Sequence, residues 1–316
     1  MECILCGASN LRVTDKVPVP DLCRLYEGFL DHGMADEFRD LASLDYVTCG
    51  ECGLRFFIPC VTGSPAFYHA LSRRAGSRYY QEDKSEYRFA AKFITGDDTV
   101  LDIGSGRGLF SRRVPGRYTG LDFNPAALEQ AAKDGVRVLN ETVEHHAGNA
   151  TSPYSVVTAF QVIEHMAEPR KFLDACLSLL RPGGLLVLSV PSEDSFVAML
   201  ENAVVNMPPH HVSRWTDQTL GNLQDLFGME LVALGHEKLE PVHFDTFIDL
   251  LAQRAARSLL GWERAGLIDL SLRKRIIDKL SGSMKPMLGR MYANPALWPD
   301  GHSVTAVYRK TAGSPC

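Results

Sequence analysis

The stretch "VLDIGSGRGLF", residues 100–110, decides the fold. Val100 to Ile103 reads as an apolar strand, and Gly104, Gly106 and Gly108 then stand at alternate positions. Glycine permits the tight left-handed turn and the close backbone approach that a polar ligand needs at a helix N-terminus. The spacing is G-x-G-x-G, not the G-x-G-x-x-G of dinucleotide-binding folds, and Asp102 lies inside the motif just before the turn.

Outward from this loop the pattern alternates. After strand "TVLDI" come a short helix ending at Pro115, strand "YTGLDF", helix "PAALEQAAKDG" and strand "VRVL". Beyond a loop around Glu144 follow strand "YSVVTAF", helix "PRKFLDACLSLLRPGG" and strand "LLVLSVP". Asn124–Pro125 reads as an N-cap with proline in the first turn, and Gly183 as the residue just past a helix end. Strands alternating with helices predict an α/β fold: a mostly parallel, Rossmann-like sheet with helices on both faces. Asp122, twenty positions beyond Asp102 at the end of the next strand, supplies a carboxylate able to accept both hydroxyls of a ribose.

The chain has 316 residues with a formal charge of −5, so it has no global attraction for phosphate backbones, and small-molecule chemistry is favoured over nucleic acid. No apolar run approaches the roughly 18 residues of a membrane span, and "MECILCGASN" lacks a basic, then apolar, leader. A cytoplasmic location is expected. Of the eight cysteines, Cys3, Cys6, Cys49 and Cys52 form two C-x-x-C pairs, each followed by glycine. In a reducing compartment that pattern reads as a structural Zn2+ site in a zinc-ribbon-like module, with a redox dithiol as the lesser alternative. "DLCRLYEGFLDHGMADEFRDL" is helix-forming sequence inserted between the pairs. Cys23, Cys60, Cys176 and Cys316 read as ordinary thiols.

"VLDIGSGRG", "GLDFNP", "FQVIEHMAEP" and "LRPGGLLVLSVP", in this order, resemble the successive motifs of class I S-adenosylmethionine-dependent methyltransferases. The resemblance covers roughly residues 85–240 and 303–310. It implies that Asp102, Gly104, Ser105, Gly106 and Gly108 surround the methionine end of the cofactor and that Asp122, with Phe123 beside it, meets the ribose. It further implies that Gln161 and Val162 flank the sulfonium and that Thr142, Val143 or Glu144 meets adenine. The cysteine module ahead of such a domain resembles sugar C-methyltransferases of bacterial deoxysugar pathways and stand-alone methyltransferases of polysaccharide and secondary-metabolite biosynthesis. The further C-terminal domain of those sugar enzymes is not expected here, and "PPHHVSRW" stands in place of their Tyr-Glu-His segment. Two rivals stand beside a small-molecule methyltransferase: an RNA base methyltransferase with a zinc module, and a cofactor-binding or assembly protein without catalysis.

Methyl transfer asks for an aligned, desolvated nucleophile and, for a protonated acceptor, a base. In "NMPPHHVSRWT", residues 206–216, two prolines are expected to hold the backbone extended before His210 and His211, presenting a base with an ordinary histidine pKa. Metal binding by this pair is set aside, since no third ligand is in view. Arg214 and Trp215 read as acceptor contacts or as a packed helix entrance, and Glu164 and His165 as packing groups at a strand end. Tyr79, Tyr80 and Tyr87 read as core or as pocket lining. The expected organisation is a zinc module over 1–62, a cofactor-binding domain over 63–240, a helical insertion over 241–300 that roofs the acceptor pocket or pairs subunits as a homodimer, and a final strand and tail over 301–316.

Overall fold

A computed structural model describes residues 1–75, 83–150 and 152–311, so Tyr79, Tyr80 and Cys316 lie outside the described residues. The chain begins with β1 (Leu11–Pro18), α1 (Val19–Glu27), α2 (Ala35–Phe38), β2 (Ser43–Cys49), β3 (Arg55–Ile58), α3 (Pro65–Ala75) and α4 (Ser85–Ala90). It continues with β4 (Thr99–Ile103), β5 (Arg117–Leu121), α5 (Pro125–Lys133), β6 (Val138–Leu139), α6 (Val143–Asn149), β7 (Tyr154–Phe160), α7 (Pro169–Ser178) and β8 (Leu180–Pro191). Then come β9 (Ser213–Arg214), α8 (Asp217–Phe227), β10 (Met229–Lys238), α9 (Phe244–Leu260), α10 (Leu272–Met291) and β11 (Asp300–Lys310).

The larger sheet runs β10-β11-β8-β7-β4-β5-β6, parallel throughout except for β11, which pairs antiparallel with both neighbours. After β4 the chain builds outward through β5 and β6, then returns to the other side of β4 with β7. The topological switch point therefore lies between β4 and β7, and ligands of open α/β sheets bind beyond the carboxyl ends of strands at such a point. Strands β4 and β7 are buried on both faces, which is why they read as near-continuous apolar runs.

Local chemistry explains the element ends. The Asn124 side chain accepts the Ala126 N–H ahead of Pro125 in α5, and the Thr216 side chain accepts the Thr219 N–H to start α8. Two local expectations change. The glycine loop leads into a 3-10 turn, Leu109–Arg113, rather than an α-helix. Helix α7 ends at Ser178, and Gly183 (φ 74°) sits in an irregularity of β8, where the register jumps from Tyr154↔Leu180 to Val156↔Leu185. Pro182 has no N–H to continue a helix, so the chain turns into the strand early.

The smaller sheet, β1-β2-β3-β9, is antiparallel, and its fourth strand comes from residues 213–214, far along the chain. Phe56, Leu54, Cys49 and Cys52 of the N-terminal module share one buried cluster with Trp215, Leu220 and Phe172 of the large domain. Helix α8 also receives the module directly, because the Asn222 side chain donates to the Cys52 carbonyl at 3.2 Å. Over 241–300 the chain is largely helical: α9 and α10 pack on each other, and α10 leaves Leu272, Ile276, Met287 and Met291 exposed. Among the described residues no helix is long and apolar enough to cross a membrane.

Candidate active site

The glycine loop is shaped as its sequence requires. Gly104, Gly106 and Gly108 all take positive φ, at 66°, 56° and 75°. A Cβ on Gly104 would stand 2.6 Å from Val162 Cγ2, and one on Gly108 2.6 Å from Val136 Cγ1. Ends of β4 and β7 thus meet at the switch point with no room for a side chain between them. Gln161, immediately after β7, itself adopts φ 57°, an unusual state for a non-glycine residue, and its amide donates towards Ser189 and Ser303.

Asp122 is tied to this loop. One carboxylate oxygen accepts the Gly106 N–H at 2.7 Å and the other the Asn124 N–H at 2.8 Å. A carboxylate offers about four acceptor sites, so positions remain for two hydroxyls. Asp102 is buried beneath the loop, where Tyr118 and Thr158 each donate to it at 2.7 Å. Burial raises its pKa to about 6 against those two hydrogen bonds. It therefore braces the floor. Ser105 is buried against the Leu121 carbonyl, whereas Phe123 is 60% exposed beside Asp122 and offers a ring face there. Thr142 caps α6 through the His145 N–H, and Val143 is buried.

Beyond Val162 a 3-10 turn, Ile163–His165, brings His165 against the loop of 206–212. That loop is a turn and not the extended approach expected from its prolines, because the N–H groups of His210 and His211 both donate to the Met207 carbonyl at 3.1 Å. The three imidazoles gather there: His210 stacks on His211 with centroids 4.4 Å apart, and His165 packs edge-on at 4.6 and 4.8 Å. Burial pushes His165 down to about 4 and His210 to about 3, and holds His211 well below the ordinary range. The expectation of an ordinary histidine pKa is corrected accordingly: charging an imidazole packed against two others in a desolvated site is unfavourable. Glu164 is 1% exposed, and both its carboxylate oxygens lack a hydrogen-bond partner among the described residues. Its pKa is pushed up to about 8 by burial.

The histidine loop is held by the N-terminal module. Tyr26 donates to the carbonyls of Val204 and Met207 at 2.6 and 2.9 Å, the Gly63 N–H to Pro209 at 2.8 Å, and the Phe57 N–H to Val212 at 3.1 Å. Arg214 donates twice to the Asn206 carbonyl, pairs with Glu193 at 3.6 Å and lies over the Tyr46 and Phe57 rings. Trp215 is fully buried and donates to Ser213. Both are packing groups. Tyr87 likewise packs on Phe110 and Phe160.

In the module, Cys3 and Cys52 stand 3.6 Å apart at sulfur, Cys6 and Cys49 3.5 Å, and all four sulfurs lie within 4.8 Å of one another. Sulfurs on a tetrahedral zinc with bonds of about 2.3 Å are about 3.8 Å apart. The two turns are equivalent: the Gly7 N–H donates to Cys3 and the Gly53 N–H to Cys49, with φ 76° and 78°. Four converging thiols on paired turns fit zinc.

A cavity of about 470 Å³ lies elsewhere, between the module sheet and the insertion, lined by Arg12, Arg55 and Arg264 among others. No residue of the glycine loop or the histidine cluster lines it. The shaped backbone and the titratable groups converge instead at the switch point.

A family described as a methyltransferase domain matches residues 73–234, just over half of the chain. The chain belongs to this methyltransferase family. Membership implies S-adenosylmethionine as methyl donor, and the glycine cradle with Asp122 fits its ribose and methionine ends. Among curated relatives, the ubiquinone biosynthesis O-methyltransferase of Erwinia tasmaniensis is 35% identical over 105 residues, 30% of this chain and 43% of that protein. That of Klebsiella pneumoniae is 30% identical over 155 residues, covering 41% of this chain and 64% of the relative. The chain thus spans between 43% and 64% of the length of these relatives. A solved structure of a SAM-dependent methyltransferase from Archaeoglobus fulgidus aligns with TM-score 0.49 at 18% identity, over 77% of this chain and all of that one.

Proposed function

We propose that the protein transfers the methyl group of S-adenosylmethionine to an oxygen of a small hydroxylated acceptor, a biosynthetic intermediate or sugar-like molecule. The carrying observation is the switch-point cradle: three positive-φ glycines, Val162 closing on Gly104, and Asp122 fixed to the loop. When bound, the cofactor supplies an electrophilic methyl group on a sulfonium. Phe123 covers one side of the ribose region, and Gln161 and Val162 bound the sulfonium. Oxygen as the acceptor atom is supported by the printed activity of the curated relatives and by neutral imidazoles, which accept a hydrogen bond from a hydroxyl. The charge of −5 supports a small acceptor over RNA. His210 and His211 orient that acceptor and are too weakly basic to compete for its proton in the ground state.

Removing the ribose carboxylate tests this reading. Asp122→Ala is expected to weaken S-adenosylmethionine binding by about 1.5–3 kcal/mol, the range for hydrogen bonds to charged groups. Calorimetry on both proteins decides it, with Asp122→Asn, which keeps the shape of the side chain and one of the two loop contacts to Gly106 and Asn124, as the conservative comparison. Unchanged affinity in both variants would remove Asp122 from the cofactor site.

A further inference from the structure

The sequence shows two adjacent histidines and no third metal ligand; folding supplies one. His165 arrives from the end of β7, some 45 residues upstream of His210. The candidate ligand atoms of His165, His210 and His211 all lie within 4.8 Å of one another. Each ring is held through Nδ1 by an oxygen: His165 donates to the His210 carbonyl at 2.6 Å, His210 to the Val205 carbonyl at 2.8 Å, and His211 to the Asn206 side-chain oxygen at 3.0 Å. An Nδ1 that donates to an oxygen carries the proton of a neutral ring, which makes Nε2 the nitrogen that bears the lone pair; the His165 ring also has the Gln161 backbone as a neighbour. Carbonyl and amide oxygens behind metal-binding histidines do this job generally, fixing both tautomer and orientation.

Glu164 is a second, independent observation. Its carboxyl group is 1% exposed, both oxygens lack a hydrogen-bond partner among the described residues, and one stands 3.8 Å from His165 Nε2. A buried polar group without a partner is costly and calls for an occupant not yet counted. Three imidazole nitrogens gathered within 4.8 Å raise the same question from the other side.

We propose that His165, His210 and His211 bind a first-row divalent cation through their Nε2 atoms, with the buried Glu164 carboxylate next to His165 as its charge partner. Three imidazoles favour zinc, ferrous iron, cobalt, nickel or copper over magnesium and calcium, which want oxygen ligands. Three protein nitrogens leave a position open to an outside oxygen, the arrangement of reactive rather than structural centres. The outside ligand is then the hydroxyl of the acceptor, which the metal holds in place of a direct hydrogen bond to Nε2, so the inference deepens the methyltransferase reading and rests on it only for the identity of that oxygen.

The test uses the full chain with its thiolate site filled by zinc, titrated with cobalt(II) and followed by visible absorption. One saturable equivalent is expected, with a nitrogen–oxygen ligand spectrum free of thiolate charge-transfer bands. His210→Ala and His211→Ala should each weaken uptake about a hundredfold or more, and Asn206→Ala, which removes only the support behind His211, about 10- to 100-fold. Circular dichroism checks each variant; should an alanine variant unfold, Asn206→Ala and Glu164→Gln decide. No saturable equivalent in the wild type, or unchanged uptake in folded variants, overturns the proposal. S-adenosylmethionine binding, measured on the same samples, separates the failures: cofactor binding without cobalt uptake sinks the metal site alone.

Discussion

Cys49→Ser is expected to release zinc from the N-terminal module and to abolish turnover, although residue 49 belongs to the module and not to the glycine loop. A structural zinc bound by four thiolates contributes on the order of 10 kcal/mol to the folding of its module, more than a small sheet otherwise commands. Losing a thiolate leaves β1, β2 and β3 without their anchor. The damage travels because β9, at Ser213–Arg214, completes that sheet, and because Tyr26, Phe57 and Gly63 hold the backbone of 204–212. Elemental analysis should show one zinc fewer per chain, and activity should fall below detection. Cofactor affinity should change much less, since β4, β5 and β7 lie outside the module. A zinc-free variant with full activity would show that the module does not set the histidine loop.

The second large effect is expected at the loop itself. His210→Ala and His211→Ala should each lower kcat about a hundredfold, the scale of a misplaced reacting group, while the Kd for S-adenosylmethionine stays within a fewfold of wild type. The pH profile separates two roles. With His165 held at about 4 and His210 at about 3, all three rings are neutral throughout pH 6–8, because a lowered pKa moves protonation to more acid solution. The rate should then show no histidine limb near pH 6.5, only a decline as pH falls towards 4. A limb at 6.5 that vanishes in one variant would instead establish that histidine as a free general base.

How much of this was legible beforehand depends on the kind of signal. The glycine loop and Asp122 were legible because positive φ and a carboxylate at a strand end leave fixed marks at fixed spacing. The seven-stranded sheet was legible because β4, β7 and β8 are buried on both faces and read as apolar runs between helical periods. The cysteine cluster was legible from two identical turns, each closed by glycine. What the sequence hid was long-range pairing. A two-residue strand such as β9 carries no period, so nothing local announces that Ser213 and Arg214 belong to a sheet begun at Leu11. His165 was hidden for the same reason: Glu164 and His165 look like strand-end packing until the fold brings 210 and 211 beside them. The polar pair a few residues after an apolar strand, at the carboxyl end of the sheet where ligands bind, was the available hint.

Calorimetric titration of the zinc-replete chain with S-adenosylmethionine tests the central assignment most directly. One site per chain, competed by S-adenosylhomocysteine and indifferent to NAD, is the expected result; no saturable binding, or displacement by NAD, would contradict it.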